Sequence, residues 1–376
     1  MKKKKVSVIL GTRPEALKLI PVIRELKKIS LFDTKICITG QHREMLAQVL
    51  RLFGIVPDED LNLMSRNQNL PTLTARLMKA LDRYILKEKP DLIVVQGDTT
   101  SAFLAALTAF YHHIPVGHVE AGLRSNDKYS PFPEEINRIF ISHLADIHFA
   151  PTDWAKNNLV RNGIPGSRVF ITGNPIVDMI HFALELIADA PSPSIRGIPA
   201  QIMLGKQDVI LITGHRRESF GHGFKEICRG IKLLARDFRD KVFIYPVHMN
   251  PNVERPVRKY LESIPNVYLP KPIGYLDFVR LMKRSILILT DSGGIQEEAP
   301  TLKKPVLIMR ERTERPEALR SGTAKLVGTE ATSIYRETRR LIMNNKLYAM
   351  MVKETNPFGD GNAAGRIARI CLRYFS

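Results

Sequence analysis

The stretch that decides the fold class is VSVILGTRPEALKLIPVIREL, residues 6–26. Residues 6–10 form an apolar run of strand length that stops at Gly11 and Thr12. From Pro14 the period becomes helical: Leu17, Ile20, Ile23 and Leu26 share one face, and Pro14 stands near the first turn, where its missing N–H costs nothing. A strand feeding an amphipathic helix is the start of a crossover unit and predicts parallel strands.

The alternation repeats along the chain. Residues 34–38, 92–95, 116–119, 147–150 and 169–171 read as further strands with helical periods between them. The Pro/Ser-rich interruption ADAPSPSIRGIPAQ, residues 188–201, precedes a second series at 209–212, 242–245, 267–269, 286–289 and 305–309. The expected fold class is α/β, with two Rossmann-like doubly wound parallel-sheet domains facing a cleft. A chain of 376 residues has the length for two such domains, at roughly 150 residues each. The expected boundaries are 1–171 for the first domain, 172–358 for the second and 359–376 for a terminal helix, which follows the turn-rich NPFGDGNAAG.

Composition narrows the function classes. The net charge of +18 is positive in both halves, and such a field attracts phosphorylated small molecules as readily as nucleic acid. No nucleic-acid-binding module is recognisable by spacing or aromatic interleaving. Cys37, Cys228 and Cys371 are scattered without a C-x-x-C pair, which argues against a disulfide framework or zinc and fits a reducing cytoplasm. The basic start MKKKK leads into an apolar run too short for a signal peptide, and no run of about 18 apolar residues exists to span a bilayer. There is no H-E-x-x-H, no Walker P-loop and no G-x-G-x-x-G between strand and helix, so neither a metal nor a nicotinamide is expected.

In open parallel sheets, ligands bind beyond the carboxyl ends of the strands. Here those ends carry GTRPEALK, QGDTTS, HVEAGLR, GHRRES and DSGGIQEE. Ser292, Gly293 and Gly294 open a helix whose free N–H groups suit a phosphate, and Glu297 and Glu298, expected in its first turn, can reach a ribose diol. A tight turn with a well-capped helix explains the same letters. Arg13, Lys18 and the pair Arg216-Arg217 after His215 are plausible diphosphate partners. Asp98, Glu120, Glu134, Glu135 and His215 form a candidate acid/base set. Asp98 reads equally as a helix N-cap, and Glu134 and Glu135 as ordinary first-turn glutamates. Glu120, embedded in PVGHVEAGL, is the hardest to dismiss, because burying it without partners would cost several kcal/mol.

Taken in order, GTRPEALK, TGQHREML, VQGDTTSA, HVEAGLRS, SPFPEEINR, TGNPIVD, TGHRRESFG, TDSGGIQEEAP, KPVLIMRERTERPEA and NPFGDGNAA run nearly end to end. In these motifs the chain resembles the bacterial UDP-N-acetylglucosamine 2-epimerases of the non-hydrolysing type. The resemblance implies a GT-B-like fold with the nucleotide on the C-terminal domain, and a last helix packing back on the first domain. It implies a reaction free of metal and NAD that inverts C2 of the sugar through a glycal intermediate, with UDP leaving and returning. Asp98, Glu120 and Glu134 are then the catalytic carboxylates, and His215 assists the departing diphosphate. Arg13, Lys18, Phe278, Ser292, Gly293, Gly294, Glu298 and Arg315 bind UDP or sugar. Gln41, His42, Gln68 and His248 resemble residues at which some members bind a second, activating substrate molecule. A cytoplasmic homodimer serving cell-envelope polysaccharide synthesis is also implied. Two departures are Glu311-Arg312, where an Asp-Thr pair is common, and Ile273 in a variable loop. A hydrolysing epimerase, a GT-B glycosyltransferase and a non-catalytic nucleotide-sugar sensor are the competing expectations.

Overall fold

The computed structural model describes residues 2–40, 43–63, 69–188, 195–353 and 355–376. The chain divides into two compact units, Met1–Met179 with Phe358–Ser376, and Ile180–Pro357.

The first unit carries β1 (Lys4–Leu10), β2 (Phe32–Ile38), β3 (Glu59–Asp60), β4 (Leu92–Gln96), β5 (Val116–Val119), β6 (Ile147–Ala150) and β7 (Val169–Ile171). They form one parallel sheet in the order β3-β2-β1-β4-β5-β6-β7. Sheets of this kind are covered on both faces, which is why β4 reads LIVVQ, apolar without alternation up to its last residue. Val6, Val8, Ile9 and Leu10 of β1 are fully buried. Ile9, Ile93 and Val95 pack with Leu77, Leu81 and Ala105 of the helices Leu70–Glu88 and Thr100–Tyr111.

Strand order explains where chemistry can collect. The chain builds outward from β1 to β3, then returns to place β4 on the other side of β1. Loops leaving β1 and β4 therefore diverge and open a crevice between them. GTRP follows β1 and GDTT follows β4, so two of the polar strand ends meet at this reversal.

The second unit repeats the plan with β8 (Val209–Thr213), β9 (Val242–Ile244), β10 (Val267–Tyr268), β11 (Ser285–Thr290), β12 (Val306–Ile308) and β13 (Ala324–Leu326), all parallel in the order β10-β9-β8-β11-β12-β13. Its reversal lies between β8 and β11, the strands followed by GHRRES and DSGGIQEE. The doubly wound α/β expectation holds for both units. The edge strands β3 and β13 were not expected, because Glu-Asp and Ala-Lys-Leu have neither length nor β-branching to announce a strand.

The unit boundary falls inside the helix Pro175–Ala188, beyond the end of β7. Asp178 on that helix accepts the N–H groups of Ala363 and Ala364 at 3.2 and 2.9 Å, satisfying the open start of the terminal helix Ala363–Tyr374. Asn174 N–H donates to Phe358 O at 2.7 Å, and Phe375 sets its ring edge-on to Phe32, 6.0 Å between centroids. These contacts belong to the first unit. Among the described residues no helix is long and apolar enough to cross a membrane.

Gly122, just past β5, has φ +95°, and a Cβ there would stand 2.1 Å from the Ala155 carbonyl oxygen. Both the left-handed backbone and the clash penalise any side chain. Gly122→Ala is expected to lower unfolding free energy by on the order of 3 kcal/mol, measured as a reduced urea midpoint with an unchanged m-value.

Candidate active site

Glu120 follows β5 directly and adopts φ +63°, the left-handed region that costs a non-glycine residue about 1–2 kcal/mol. It is also 5% exposed. The geometry persists because both carboxylate oxygens are held: Lys18 Nζ lies 2.7 Å from Oε1 and 2.6 Å from Oε2, and Gln96 Nε2 donates to Oε2. Lys18 comes from the helix Arg13–Lys27 and Gln96 from the last position of β4, so three successive segments of the crevice converge on one carboxylate.

Asp98 is not the N-cap of the helix that follows it. That position belongs to Thr99, whose Oγ1 accepts the Ala102 N–H at 3.0 Å. Asp98 instead receives Nη2 of Arg138, whose Nη1 lies 3.1 Å from Glu135 Oε2. Asn137 Nδ2 also donates to the Asp98 carbonyl at 2.9 Å. Glu135 is buried and accepts the N–H groups of Ser125 and Asn126, so it anchors the loop after β5. Glu134 begins the helix Glu134–Leu144 and is half-buried.

Glu15 adds a fifth carboxylate. Its Oε2 accepts the Gly11 N–H at 3.0 Å and its Oε1 the Thr99 hydroxyl at 2.8 Å, tying the loop after β1 to the loop after β4. Burial pushes its carboxyl up to about 6 against the opposing pull of those hydrogen bonds. His118 in β5 donates from Nε2 to Gly97 O at 2.7 Å, and burial holds it down at about 4, so it is a neutral strut.

In the second unit, the loop after β8 is latched by a buried acid. Asp291, at the end of β11, accepts the backbone N–H groups of His215 and Arg216 at 2.7 and 2.8 Å, and its other oxygen lies 3.5 Å from His215 Nδ1. The His215 ring stacks on that of His248, 5.5 Å between centroids and 17° apart in plane. Burial lowers the His215 pKa, Asp291 opposing and Arg216 and His248 reinforcing, which favours the neutral imidazole.

Ser292 precedes the helix Gly293–Glu298, as expected, but Glu297 and Glu298 occupy its fifth and sixth positions, not its first turn. The helix starts at the glycine pair and passes into a 3₁₀ turn containing Pro300. Glu297 Oε1 takes Arg315 Nε at 2.6 Å, and the guanidinium then lies against Gly293, where a Cβ would meet Nη1 at 2.3 Å. Glycine is therefore needed there to let Arg315 reach the helix start. Glu298 is buried with Tyr275 Oη 3.4 Å away. Arg310 is spent on Glu314 and Glu218, at 3.1 and 2.5 Å. Burial alone would raise the Glu314 carboxyl, but Arg315 and Arg310 hold it down at about 2.

The family model described as UDP-N-acetylglucosamine 2-epimerase matches residues 24–372. A UDP-N-acetylglucosamine 2-epimerase of Escherichia coli is 49% identical over 366 residues, covering 96% of this chain and 97% of that protein. The chain belongs to the UDP-N-acetylglucosamine 2-epimerase family. A crystal structure of the UDP-GlcNAc 2-epimerase from Neisseria meningitidis bound to UDP-GlcNAc is 47% identical, with a TM-score of 0.92 over 98% of this chain and all of that one. An S. aureus MnaA–UDP co-structure, 38% identical, gives 0.90 over 99% and 97%.

Of the residues expected to act in this epimerase family, Lys18 and Glu120 are in direct contact, and Asp98 is held by Arg138, which lies on the helix that Glu134 begins. Arg13 stands half-buried at the start of its helix. Ser292, Gly293, Gly294 and Arg315 gather at one helix start, while Glu298 points to Tyr275 and Phe278 lies half-buried on the helix Tyr275–Arg284. Gln41, His42 and Gln68 lie outside the described residues. Of the two departures, Glu311 accepts the Thr329 N–H at 3.2 Å, Arg312 is exposed, and Ile273 is half-buried. Among the described residues no group of three or more metal-ligating side chains is assembled.

Sequence reasoning passed over Glu15, Gln96, Arg138 and Asp291 as working parts, and it read Glu297 as a ribose partner, not as the acid that holds Arg315. Two carried a signal: Gln96 is a polar residue ending the apolar run LIVVQ, and Arg138 stands at i+3 from Glu135, the spacing of a helical ion pair.

Glu15 yields a pH prediction. Its folded pKa of about 6 exceeds the ordinary 4.5, so the stability it contributes is complete below pH 4.5 and is lost as pH rises through 6. Glu15→Gln stays neutral throughout. Its stability relative to the native protein is expected to rise by about 2 kcal/mol between pH 4 and pH 7, measured by urea unfolding across that range.

Proposed function

We propose that this chain catalyses the reversible C2 epimerisation of UDP-N-acetylglucosamine to UDP-N-acetylmannosamine, by elimination and re-addition of UDP. The observation that carries the reading is the set of carboxylates beyond β4 and β5: Glu120 on Lys18, Asp98 on Arg138, and Glu134, half-buried at the start of the helix that carries Arg138. Family membership supports the substrate.

The chemistry accounts for such a set. C2–H of the hexose is not next to a carbonyl, so a carboxylate cannot remove it directly. When the anomeric C1–O bond to UDP breaks, developing positive charge at C1 makes the neighbouring hydrogen acidic. A carboxylate takes that proton, C1=C2 forms and UDP departs with the bonding electrons. Delivery of a proton to the opposite face of C2, with return of the UDP oxygen to C1, gives the epimer. One carboxylate must accept and another donate, which requires two acids with different surroundings. Asp98 and Glu134 are our assignment for these roles.

Glu120 is more enclosed, and we read it with Lys18 as the charged wall that positions the sugar. Lys18, expected on UDP or the sugar, is thereby assigned to the sugar side through Glu120. Arg13, Arg315 and the N–H groups at Ser292 to Gly294 are assigned to the diphosphate, where positive charge stabilises the leaving group. His215, neutral and held by Asp291, is assigned to proton donation or hydrogen bonding at the departing phosphate. Phe278 and Glu298 are assigned to the nucleoside. The scheme needs no metal or nucleotide cofactor, since the proton goes to a carboxylate and the electrons leave with UDP. A phosphorylated substrate and likeness to the family support a cytoplasmic homodimer supplying envelope polysaccharide synthesis. Activation by a second substrate molecule is part of this reading, with Gln41, His42, Gln68 and His248 its assigned residues.

Incubation with UDP-N-acetylglucosamine in D2O, followed by NMR, tests the reaction. Deuterium is expected at C2 of both epimers with UDP still attached; retained C2–H would refute the scheme, and bulk UDP with free N-acetylmannosamine would indicate a hydrolysing enzyme. Glu120→Gln is expected to lower kcat about 100-fold or more, as loss of a group acting in the transition state does. Gly293→Ala, which displaces Arg315, is expected to weaken UDP binding about tenfold, or about 1.4 kcal/mol, in calorimetric titration with little change in thermal stability.

A further inference from the structure

Arg138 contacts two carboxylates from different segments of the first unit. Its side chain is 7% exposed. One arm reaches Asp98 beyond β4, and the other reaches Glu135 at 3.1 Å. Glu135 in turn accepts Ser125 N–H at 3.1 and 3.0 Å and Asn126 N–H at 3.0 Å, pinning the loop that leads into the helix Glu134–Leu144. The residue before Arg138, Asn137, donates from its side-chain amide to the Asp98 carbonyl at 2.9 Å. Arg138 lies four residues after Glu134, one helical turn along the same side of the helix.

We infer that Arg138 is a positioning residue that sets the separation between Asp98 and Glu134. The inference rests on the reading that these two carboxylates exchange the C2 proton. Such an exchange needs donor and acceptor on opposite faces of one carbon, and misplacement by an ångström costs orders of magnitude in rate. A guanidinium forks rigidly and can satisfy two carboxylates in fixed directions, whereas an ammonium on a flexible stem supplies charge without that geometry. Arg138 touches no substrate in this scheme; it acts through Asp98.

A double-mutant cycle separates positioning from mere stabilisation. Arg138→Lys is expected to lower kcat about 10- to 100-fold with KM changed less than about threefold. Arg138→Ala is expected to lower kcat further in the native background, yet less than about threefold in an Asp98→Asn background, because residues acting as a unit are non-additive. Glu135→Gln, which leaves the Arg138–Asp98 contact available, is expected to show a smaller loss with the same non-additivity. Thermal unfolding and UDP titration accompany every variant; if Arg138→Ala does not fold, Arg138→Lys takes its place in the cycle. Full activity in Arg138→Lys would overturn the inference. So would an Arg138→Ala penalty of equal size in both backgrounds with Asp98→Asn itself impaired, and that result would leave the site reading standing. An Asp98→Asn enzyme as active as the native one would bring down the site reading and this inference together.

Discussion

Glu120 brings a charge into a nearly dry interior on a backbone conformation that side chains avoid, and the ammonium of Lys18 at 2.6 Å is what makes that tolerable. Loss of either partner would leave the other charge buried alone, at a cost of about 3–5 kcal/mol. The pair also fixes geometry, because Lys18 belongs to the helix after β1 and Glu120 to the end of β5, with Gln96 of β4 between them. Three strand ends are thereby held in one arrangement around a single carboxylate.

The same economy recurs in both units. Asp98 and Glu135 share Arg138, Glu297 holds Arg315, and Arg310 lies between Glu218 and Glu314. Lys18, Arg138, Arg310 and Arg315 are therefore bound into specific pairs despite the excess of positive charge on the chain. Those pairs orient groups more than they stabilise the fold, since desolvation offsets much of the Coulomb gain. His215 follows a related logic with backbone instead of charge: Asp291 grips the N–H groups of its loop, and the imidazole is left on the stack with His248.

Much of the fold was legible because buried parallel strands and amphipathic helices write their periods directly into the residues. The run 116–119, the run 147–150 and the run 169–171 match β5, β6 and β7 end to end. Where the signal is faint the reading thins out: β3 and β13 are short edge strands, and Glu297 and Glu298 were placed in the wrong turn of a helix whose start depends on Gly293. In the site, residues that follow strands were visible as a group. Partners contributed by other segments were not, because nothing in the spacing of Lys18 and Glu120, or of Arg138 and Asp98, marks them as neighbours.

The amino-acid sequence by itself determined the α/β class, the two doubly wound sheets and, through ordered motifs, the family. These follow from local periodicity and from long runs of identity, neither of which needs a three-dimensional arrangement. Tertiary structure alone decided which carboxylate each cation serves, that Glu15 joins two loops with a carboxyl held near 6, and that Asp98 is a clamped acid instead of a helix cap. The physical reason is that pairing and desolvation depend on distances set by strand order. The reversal between β1 and β4, and between β8 and β11, brings together residues that the chain keeps far apart.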